Sequence, residues 1–257
     1  MEPLRVTLVQ TELAWEDPAA NLQRLERKLH PISGTTDLII LPEMFTTGFT
    51  MRAEAMAEDM DGPTLRWMQA MASQLDAVIT GSVVICERGA CFNRLLWVRP
   101  DKTYAYYDKR HLFSLAGEQH HYTAGNQRLL VGLKGWTICP LICYDLRFPV
   151  WSRNTQDYDL LIYVANWPKA RRHAWQSLLV ARAIENQSYT IGVNRVGEDA
   201  NGNEYTGDSM VVNFAGEVLY HIAYGEQSET LTLAHAIQES FRAKFPFLDD
   251  ADDFSLK

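Results

Sequence analysis

Three ionisable residues each follow a short apolar run that has the character of a buried strand. Glu43 comes after Leu-Ile-Ile-Leu-Pro, Lys109 after Tyr-Ala-Tyr-Tyr-Asp, and Cys143 after Pro-Leu-Ile. Open α/β sheets place their ligand crevice beyond the ends of such strands. If the three strands are neighbours in one sheet, the three side chains converge at its edge.

A thiol, an amine and a carboxylate that meet at one point form a nucleophilic site. A free thiol has a pKa of about 8.5 and attacks slowly at neutral pH unless its surroundings assist it. The Lys109 cation would favour the thiolate of Cys143, and Glu43 could take the proton. Lys109 and the backbone N–H of Tyr144 would stabilise the oxyanion formed when the sulfur attacks a carbonyl. Glu43 would act again by deprotonating the hydrolytic water.

Each of these residues also has a purely structural interpretation. A cysteine in an apolar run is commonly a small core residue, as we expect for Cys139. Glu43 could cap a helix or lie in a loop, and Lys109 could belong to a solvated basic turn. The occurrence of all three in matching positions favours the interpretation of Cys143 as a nucleophile.

The elements that would position these residues alternate between strands and helices in the first half of the chain. Asp17-Pro18 and Gly62-Pro63 predict the starts of two helices. Pairs of adjacent strands follow in the middle and towards the end. This mixture predicts an α/β fold with a mixed sheet, or two sheets, covered by helices. No linker, repeat or change of composition divides residues 1–257, so we expect a single domain.

Composition narrows the class of protein. The 257 residues are 47% hydrophobic and 22% charged, as in an ordinary globular protein, and the net charge of −8 disfavours nucleic-acid binding. No apolar run approaches the ~18 residues of a membrane span, and the N-terminus has no signal-peptide pattern. We therefore expect a cytoplasmic protein with reduced thiols and no membrane partner. The four cysteines lack metal-ligand spacing, so we predict no metal and no other cofactor.

Three sequence blocks carry a resemblance to a known family: Leu41-Pro42-Glu43, Asp108-Lys109-Arg110-His111-Leu112-Phe113 and Cys143-Tyr144-Asp145-Leu146-Arg147-Phe148-Pro149. In this order they resemble the signature blocks of the nitrilase superfamily of carbon–nitrogen hydrolases. The resemblance implies a four-layer α-β-β-α sandwich, a homodimer, and a triad of Glu43, Lys109 and Cys143. It also implies that Glu118, in a loop like the family's second glutamate loop, supports the triad. The segment from about residue 224 is expected to extend to the dimer partner.

Within the superfamily, the chain is most similar to the omega-amidase branch. The blocks that carry this similarity include Tyr163-Val164-Ala165-Asn166-Trp167-Pro168 and His173-Ala174-Trp175. The resemblance implies a small-molecule amide substrate, namely 2-oxoglutaramate or 2-oxosuccinamate, which is hydrolysed to a 2-oxo acid and ammonia through a cysteine thioester. An N-carbamoyl amino acid hydrolase, an aliphatic amidase and a nitrilase use the same triad and stay open as alternatives. A remoter alternative is a non-catalytic binding scaffold.

Recognition of the substrate is the least determined part of the prediction. Arg147 is the best candidate to bind the substrate's far carboxylate, because a guanidinium can grip a carboxylate through two parallel hydrogen bonds. The alternative is an internal ion pair with Asp145 or Glu185. The predicted walls of the substrate pocket are Phe45, Phe49, Tyr144 and Trp167, although aromatic residues in such positions are often simply core.

Overall fold

The computed structural model describes residues 2–255. Within them, thirteen strands alternate with six α-helices. The strands are β1 (Leu4–Gln10), β2 (Leu38–Ile40), β3 (Val78–Glu87), β4 (Ala90–Val98), β5 (Tyr104–Asp108), β6 (Val131–Leu133), β7 (Trp136–Ile142), β8 (Leu160–Ala165), β9 (Tyr189–Asn194), β10 (Val196–Glu198), β11 (Glu204–Val212), β12 (Val218–Ala223) and β13 (Gln227–Leu233). The helices are α1 (Pro18–Leu29), α2 (Ala53–Met56), α3 (Pro63–Leu75), α4 (Pro149–Ser152), α5 (Arg172–Asn186) and α6 (His235–Lys244).

The strands form two sheets that pack face to face. One sheet has the order β13-β1-β2-β3-β4-β5, and the other has the order β10-β11-β9-β8-β7-β6 with β12 also paired to β11. One core cluster joins their inner faces, and it includes Val6 and Leu8 of β1 with Ile138 and Leu141 of β7. The predicted α/β fold with two sheets is confirmed.

Helices cover the outer face of each sheet, which completes four layers. Leu25 of α1 and Met68 of α3 pack on the outer side of the first sheet. Trp175 and Leu179 of α5 pack on the second sheet. The two predicted helix starts are confirmed: the Asp17 carboxylate caps α1, and Gly62 precedes the proline that opens α3.

The C-terminal segment packs against its own chain as far as the end of α6. Strand β13 pairs antiparallel with β1 over its whole length. Helix α6 is fastened by Gln238, which donates to the backbone oxygens of Asp159 and Gln187 at 2.9 and 3.1 Å, and by Arg242, which contacts the Asp159 carboxylate at 3.1 Å. Contact between the segment beyond residue 224 and a dimer partner stays a prediction.

One prediction about the cysteines is wrong. Cys86 and Cys91 are joined by a disulfide, whereas all four thiols were expected to be reduced. They lie directly opposite each other at the turn between β3 and β4, with their Cα atoms 4.0 Å apart. Cys139 and Cys143 are free and buried.

Among residues 2–255 no helix is long and apolar enough to cross a membrane.

Candidate active site

Cys143 occupies a sharp turn at the end of β7. Its φ of +42° lies in the left-handed region, which is rare and costs a side chain other than glycine roughly 1–3 kcal/mol. The buried Asp145 carboxylate holds this turn by accepting hydrogen bonds from the Ile142 N–H at 3.1 Å and the His111 N–H at 3.0 Å. The same carboxylate accepts from the Tyr107 hydroxyl at 2.7 Å. Asp145 thus ties the cysteine turn to β5 and to the loop after it.

Glu43 lies beyond the end of β2 and is fully buried. Three donors surround its carboxylate: the Asn93 side-chain amide at 2.8 Å, Lys109 Nζ at 3.0 Å and the Asn166 N–H at 2.7 Å. Asn93 comes from the middle of β4, and Asn166 follows β8 directly. A buried carboxylate that accepts several hydrogen bonds is held in a single orientation.

Lys109 lies between two carboxylates. Its Nζ is 3.0 Å from Glu43 Oε1 and 2.9 Å from Glu118 Oε2, and all three side chains are at most 1% exposed. Glu118 sits on a short 3₁₀ helix, Glu118–His120. The structure therefore brings the four predicted residues Glu43, Lys109, Glu118 and Cys143 into one cluster.

The route by which they converge differs from the expectation of three neighbouring strands in one sheet. β2 and β5 belong to the first sheet, where β3 and β4 separate them, while β7 belongs to the second sheet. The residues meet because the two packed sheets present these strand ends at the same side of the sandwich. Glu43 is held from both sheets, since Asn93 lies on β4 of the first sheet and Asn166 directly follows β8 of the second.

Electrostatics within the cluster determine the protonation state of the sulfur. Burial raises the pKa of Cys143 well above its ordinary value; the Glu43 carboxylate raises it further, while the Lys109 cation opposes both. Because an acid stays protonated below its pKa, Cys143 is a neutral thiol at neutral pH. Lys109 favours the thiolate as expected, but burial and the Glu43 carboxylate outweigh it in the resting site.

Lys109 keeps its positive charge in spite of burial. Burial alone would lower the pKa of Lys109, but the carboxylates of Glu118 and Glu43 outweigh it and raise the pKa above the ordinary value. The pKa of Glu118 is also raised, mainly by burial, with Lys109 opposing. The site thus combines a neutral thiol, a permanent cation and a carboxylate in position to take a proton.

A cavity of about 230 Å³ opens beside this cluster. Five predicted site residues share this one space, since it is lined by Cys143, Lys109, Tyr144, Arg147 and Trp167. No Asp or Glu side chain of the described residues lines this cavity. Its wall is cationic although the chain as a whole has a net charge of −8.

Two guanidinium groups in the cavity wall have no anionic partner. Arg147 stacks on the Trp167 ring, with 4.9 Å between Cζ and the ring centre, and Arg171 stacks on Phe113 at 5.0 Å. Among the described residues, neither guanidinium forms a hydrogen bond or an ion pair. Half-buried arginines of this kind are suited to bind an anion that enters the cavity.

The alternative ion pairs considered for Arg147 are not formed. The Asp145 carboxylate is occupied by the donors that fix the cysteine turn. Glu185 pairs instead with Arg182 at 2.8 Å. Arg147 therefore faces the cavity rather than completing an internal salt bridge.

The prediction for Phe45 is wrong. Its side chain is fully buried in the core between the first sheet and the helices that cover it, and it contacts Trp67 and not the cavity. Phe49, four residues further along the chain, does line the cavity as predicted, and its ring centre lies 5.1 Å from Lys109 Nζ. An apolar aromatic residue so close to a buried strand carries no sequence signal that separates core from pocket.

Sequence analysis missed Asn93, Asn166 and Arg171. Asn166 could have been found, because it follows the apolar strand β8 as Glu43 follows β2. Arg171 lies in the loop before α5, where a cation is ordinarily solvated. Asn93 lies within a strand, and only its pairing partners reveal that it faces the carboxylates.

The chain is similar to known proteins over its whole length. The family model described as carbon-nitrogen hydrolase matches residues 5–243. The chain is 50% identical to Omega-amidase YafV of Escherichia coli K12, with 100% of both chains covered, and 31% identical to the 2-oxoglutaramate amidase of Bacillus subtilis, with 95% and 96% covered. A crystal structure of a CN-hydrolase superfamily protein from Xanthomonas campestris, with an arsenic adduct in its active site, superimposes with a TM-score of 0.98, 48% identity and full coverage of both chains.

Proposed function

The chain belongs to the carbon–nitrogen hydrolase family, and on that premise we propose that it hydrolyses the terminal amide of small 2-oxo dicarboxylic acid monoamides. The substrates would be 2-oxoglutaramate and 2-oxosuccinamate, and the products a 2-oxo acid and ammonia. The observation that carries the proposal is the cationic cavity, in which two unpaired arginines lie beside a buried thiol, lysine and carboxylate. The relatives named as omega-amidase and 2-oxoglutaramate amidase support it.

In the first half of the proposed reaction, the thiol attacks the amide. Cys143 Sγ forms a bond to the amide carbon as its proton passes to Glu43, because the neutral thiol needs a base at the moment of attack. The negative charge that develops on the oxygen is stabilised by Lys109 Nζ and the Tyr144 N–H. Protonated Glu43 then gives its proton to nitrogen, the C–N bond breaks, and ammonia leaves a thioester on Cys143.

The second half releases the acid. Glu43, again ionised, takes a proton from water as the water oxygen attacks the thioester carbon, and the same two donors hold the oxyanion. The C–S bond then breaks, and the sulfur recovers a proton from Glu43. In this scheme Glu118 keeps Lys109 in place and balances its charge, which agrees with its contact of 2.9 Å to Nζ.

The charge of the cavity favours a substrate that carries a carboxylate and no ammonium, which fits a 2-oxo acid better than simple amides, nitriles and α-amino acids. A carboxylate at the far end of the substrate would pair with Arg147, and Arg171 lies in the same wall to share that charge. Simple aliphatic amides and nitriles would leave both guanidinium groups without a counter-ion. An α-amino acid such as glutamine would bring an ammonium into a cavity that offers cations and no lining carboxylate.

A substrate panel tests this proposal. Ammonia release is measured with 2-oxoglutaramate, glutamine, an N-carbamoyl amino acid, butanamide and a simple nitrile. We expect the highest kcat/KM for 2-oxoglutaramate. A higher value for the N-carbamoyl amino acid, or for a substrate without a carboxylate, would replace the proposed function by that alternative.

Substitution of Arg147 is expected to damage recognition more than chemistry. Arg147→Leu removes a charge-assisted hydrogen bond worth about 1.5–3 kcal/mol, so kcat/KM for 2-oxoglutaramate should fall roughly 10- to 100-fold, mainly through KM. Hydrolysis of butanamide, which has no carboxylate, should change little. The control is Arg66→Leu, an exposed position on α3 that does not line the cavity. Equal losses on both substrates would show that Arg147 does not bind the carboxylate.

Location and assembly are also proposals. We expect the protein in the cytoplasm, where the thiol of Cys143 would stay reduced. Alkylation of thiols in intact cells, followed by mass spectrometry, measures the redox state of Cys143 and also that of Cys86 and Cys91.

We expect a homodimer, and exposed apolar residues on β12 (Val218 and Leu219) and on α5 (Ile184) offer a contact surface. Light scattering of the purified protein measures the oligomeric state.

A further inference from the structure

The two arginines in the cavity wall are both fixed by one tryptophan. Arg147 stacks on the ring of Trp167, with 4.9 Å between Cζ and the ring centre. The indole N–H of Trp167 donates to the backbone oxygen of Arg171 at 2.9 Å, and the Arg171 N–H donates to the Pro168 oxygen at 3.0 Å. Trp167 is only 4% exposed, and its backbone N–H donates to the Asn194 side chain at 2.8 Å. Trp167 therefore holds one guanidinium through its ring face and the other arginine through its backbone.

The guanidinium of Arg171 rests on a different ring. It stacks on Phe113 at 5.0 Å, and Phe113 packs edge-to-face against the Tyr144 ring, also at 5.0 Å. The backbone of Phe113 is held as well, because its N–H donates to the Glu118 carboxylate at 2.5 Å. Phe113 and Tyr144 line the same cavity as Trp167. The two arginines thus approach the cavity from two rings, and Arg171 does so from the side of Tyr144.

Stacking leaves the edge of a guanidinium free to donate hydrogen bonds. The group is planar and carries its N–H donors in that plane, so a ring against its face does not occupy them. Each edge can bind two acceptor oxygens side by side. A plain carboxylate offers one pair of oxygens, whereas the head group of a 2-oxo acid offers a second pair, formed by one carboxylate oxygen and the 2-oxo oxygen. Two arginines with free donors therefore match a 2-oxo acid more fully than a plain acid.

We propose that Arg171 recognises the 2-oxo group of the substrate, an inference that rests on the proposed function and narrows its substrate class. Arg147 binds the carboxylate, as in that function, while Arg171 donates to the 2-oxo oxygen and to the nearer carboxylate oxygen. The 2-oxo carbon is one carbon closer to the reacting amide than the carboxylate is. Its oxygen therefore suits the arginine whose ring partner packs on Tyr144, the residue that supplies the proposed oxyanion N–H.

This contact selects among acids that charge alone does not separate. An N-carbamoyl amino acid carries the same carboxylate as a 2-oxo acid but has an N–H donor on the carbon next to it. That N–H would face the donors of Arg171, and two donors form no hydrogen bond with each other. A plain monoamide such as glutaramate has no acceptor at that carbon. Arg171 would thus make the cavity specific for 2-oxo acids among the amides that carry a carboxylate.

Glutaramate provides the test, because it differs from 2-oxoglutaramate only in lacking the 2-oxo oxygen. Arg171→Leu should lower kcat/KM for 2-oxoglutaramate roughly 10-fold more than for glutaramate, because only the first compound loses the contact to the 2-oxo oxygen. Arg147→Leu should lower both values by the same factor, since both compounds carry the carboxylate. Each loss is measured relative to the unmodified protein with the same compound.

Lys169→Leu is the matched control. Lys169 lies two residues before Arg171 on the same short 3₁₀ helix, Lys169–Arg171, and it does not line the cavity. Its ammonium pairs with Glu204 on the surface. This variant removes a neighbouring cation of the same segment and should leave both kcat/KM values nearly unchanged.

Binding without turnover separates recognition from chemistry. Calorimetric titration of the Cys143→Ala protein gives the Kd of 2-oxoglutaramate and of glutaramate. Adding Arg171→Gln to that protein should weaken the binding of 2-oxoglutaramate more than that of glutaramate, because glutamine lacks the charged fork of arginine. Arg171→Gln also takes the place of Arg171→Leu in the kinetic comparison if the leucine protein does not fold.

Equal losses on the two compounds in a folded Arg171→Leu or Arg171→Gln protein would overturn the inference. A selective loss of 2-oxoglutaramate hydrolysis in Arg147→Leu, and not in the Arg171 variants, would overturn it as well. Failure of the proposed function looks different. In that case the unmodified protein would hydrolyse neither compound at a useful rate, or would prefer a substrate without a carboxylate.

Discussion

The Cys143→Ala protein is expected to release no ammonia from 2-oxoglutaramate above the uncatalysed rate. Cys143 is the nucleophile of the proposed reaction, and the neighbouring carboxylates of Glu43 and Glu118 are engaged with Lys109. Removing a nucleophile from a preorganised site typically costs about 10⁴- to 10⁶-fold in kcat. The measurement is continuous detection of ammonia with purified protein at saturating substrate.

Cys139 supplies the matched control, since it is the other free thiol and lies four residues earlier on β7. It belongs to the core, and burial raises its pKa to about 12. Cys139→Ala should therefore retain turnover and lose about 1 kcal/mol of stability, which a thermal melt detects. Activity that survives Cys143→Ala, or that disappears in a folded Cys139→Ala protein, would contradict the assignment.

Glu43→Gln is expected to be almost as damaging, because Glu43 transfers protons in both halves of the reaction. General acid–base groups contribute about 10²–10⁴-fold each time they act, so kcat should fall by at least that range. The substitution should also lower the pKa of Cys143. The negative charge of Glu43 raises that pKa, whereas the Lys109 cation lowers it. Removing the Glu43 charge therefore leaves the lowering effect of Lys109 less opposed.

The two readouts together distinguish the role of Glu43 from simple disruption of the site. A titration of thiolate absorbance, corrected with the Cys143→Ala protein, should show the thiolate at lower pH in Glu43→Gln than in the unmodified enzyme. Turnover should fall in spite of the more reactive sulfur. Glu118→Gln is the comparison, and it should cost less because Glu118 contacts Lys109 and transfers no proton in the scheme. Near-normal turnover in Glu43→Gln would refute the proton-transfer role.

Local sequence pattern was sufficient to single out the candidate catalytic residues but not their arrangement. Glu43, Lys109 and Cys143 were located because each follows an apolar strand, and that information is contained in a few neighbouring residues. Which strands lie side by side depends on pairing between distant segments. The sequence therefore could not reveal that β2 and β5 come from one sheet and β7 from the other.

The remaining errors have the same physical origin. Phe45 and Phe49 are both aromatic residues after β2, and only the packed helices decide that one is core and the other lines the cavity. Cys86 and Cys91 became partners through the register of β3 and β4. The net rise of the Cys143 pKa could not be foreseen either, because burial, which outweighs the lysine charge, is a property of the folded chain.

The most direct test of the mechanism is the intact mass of the protein, measured after rapid acid quench during turnover of 2-oxoglutaramate. The account predicts a transient acyl adduct that peptide mapping places on Cys143 and that hydroxylamine removes as the hydroxamate. The Cys143→Ala protein should show no adduct. Ammonia release at the normal rate without any acyl adduct, and without hydroxamate when hydroxylamine is present, would contradict thioester formation at Cys143.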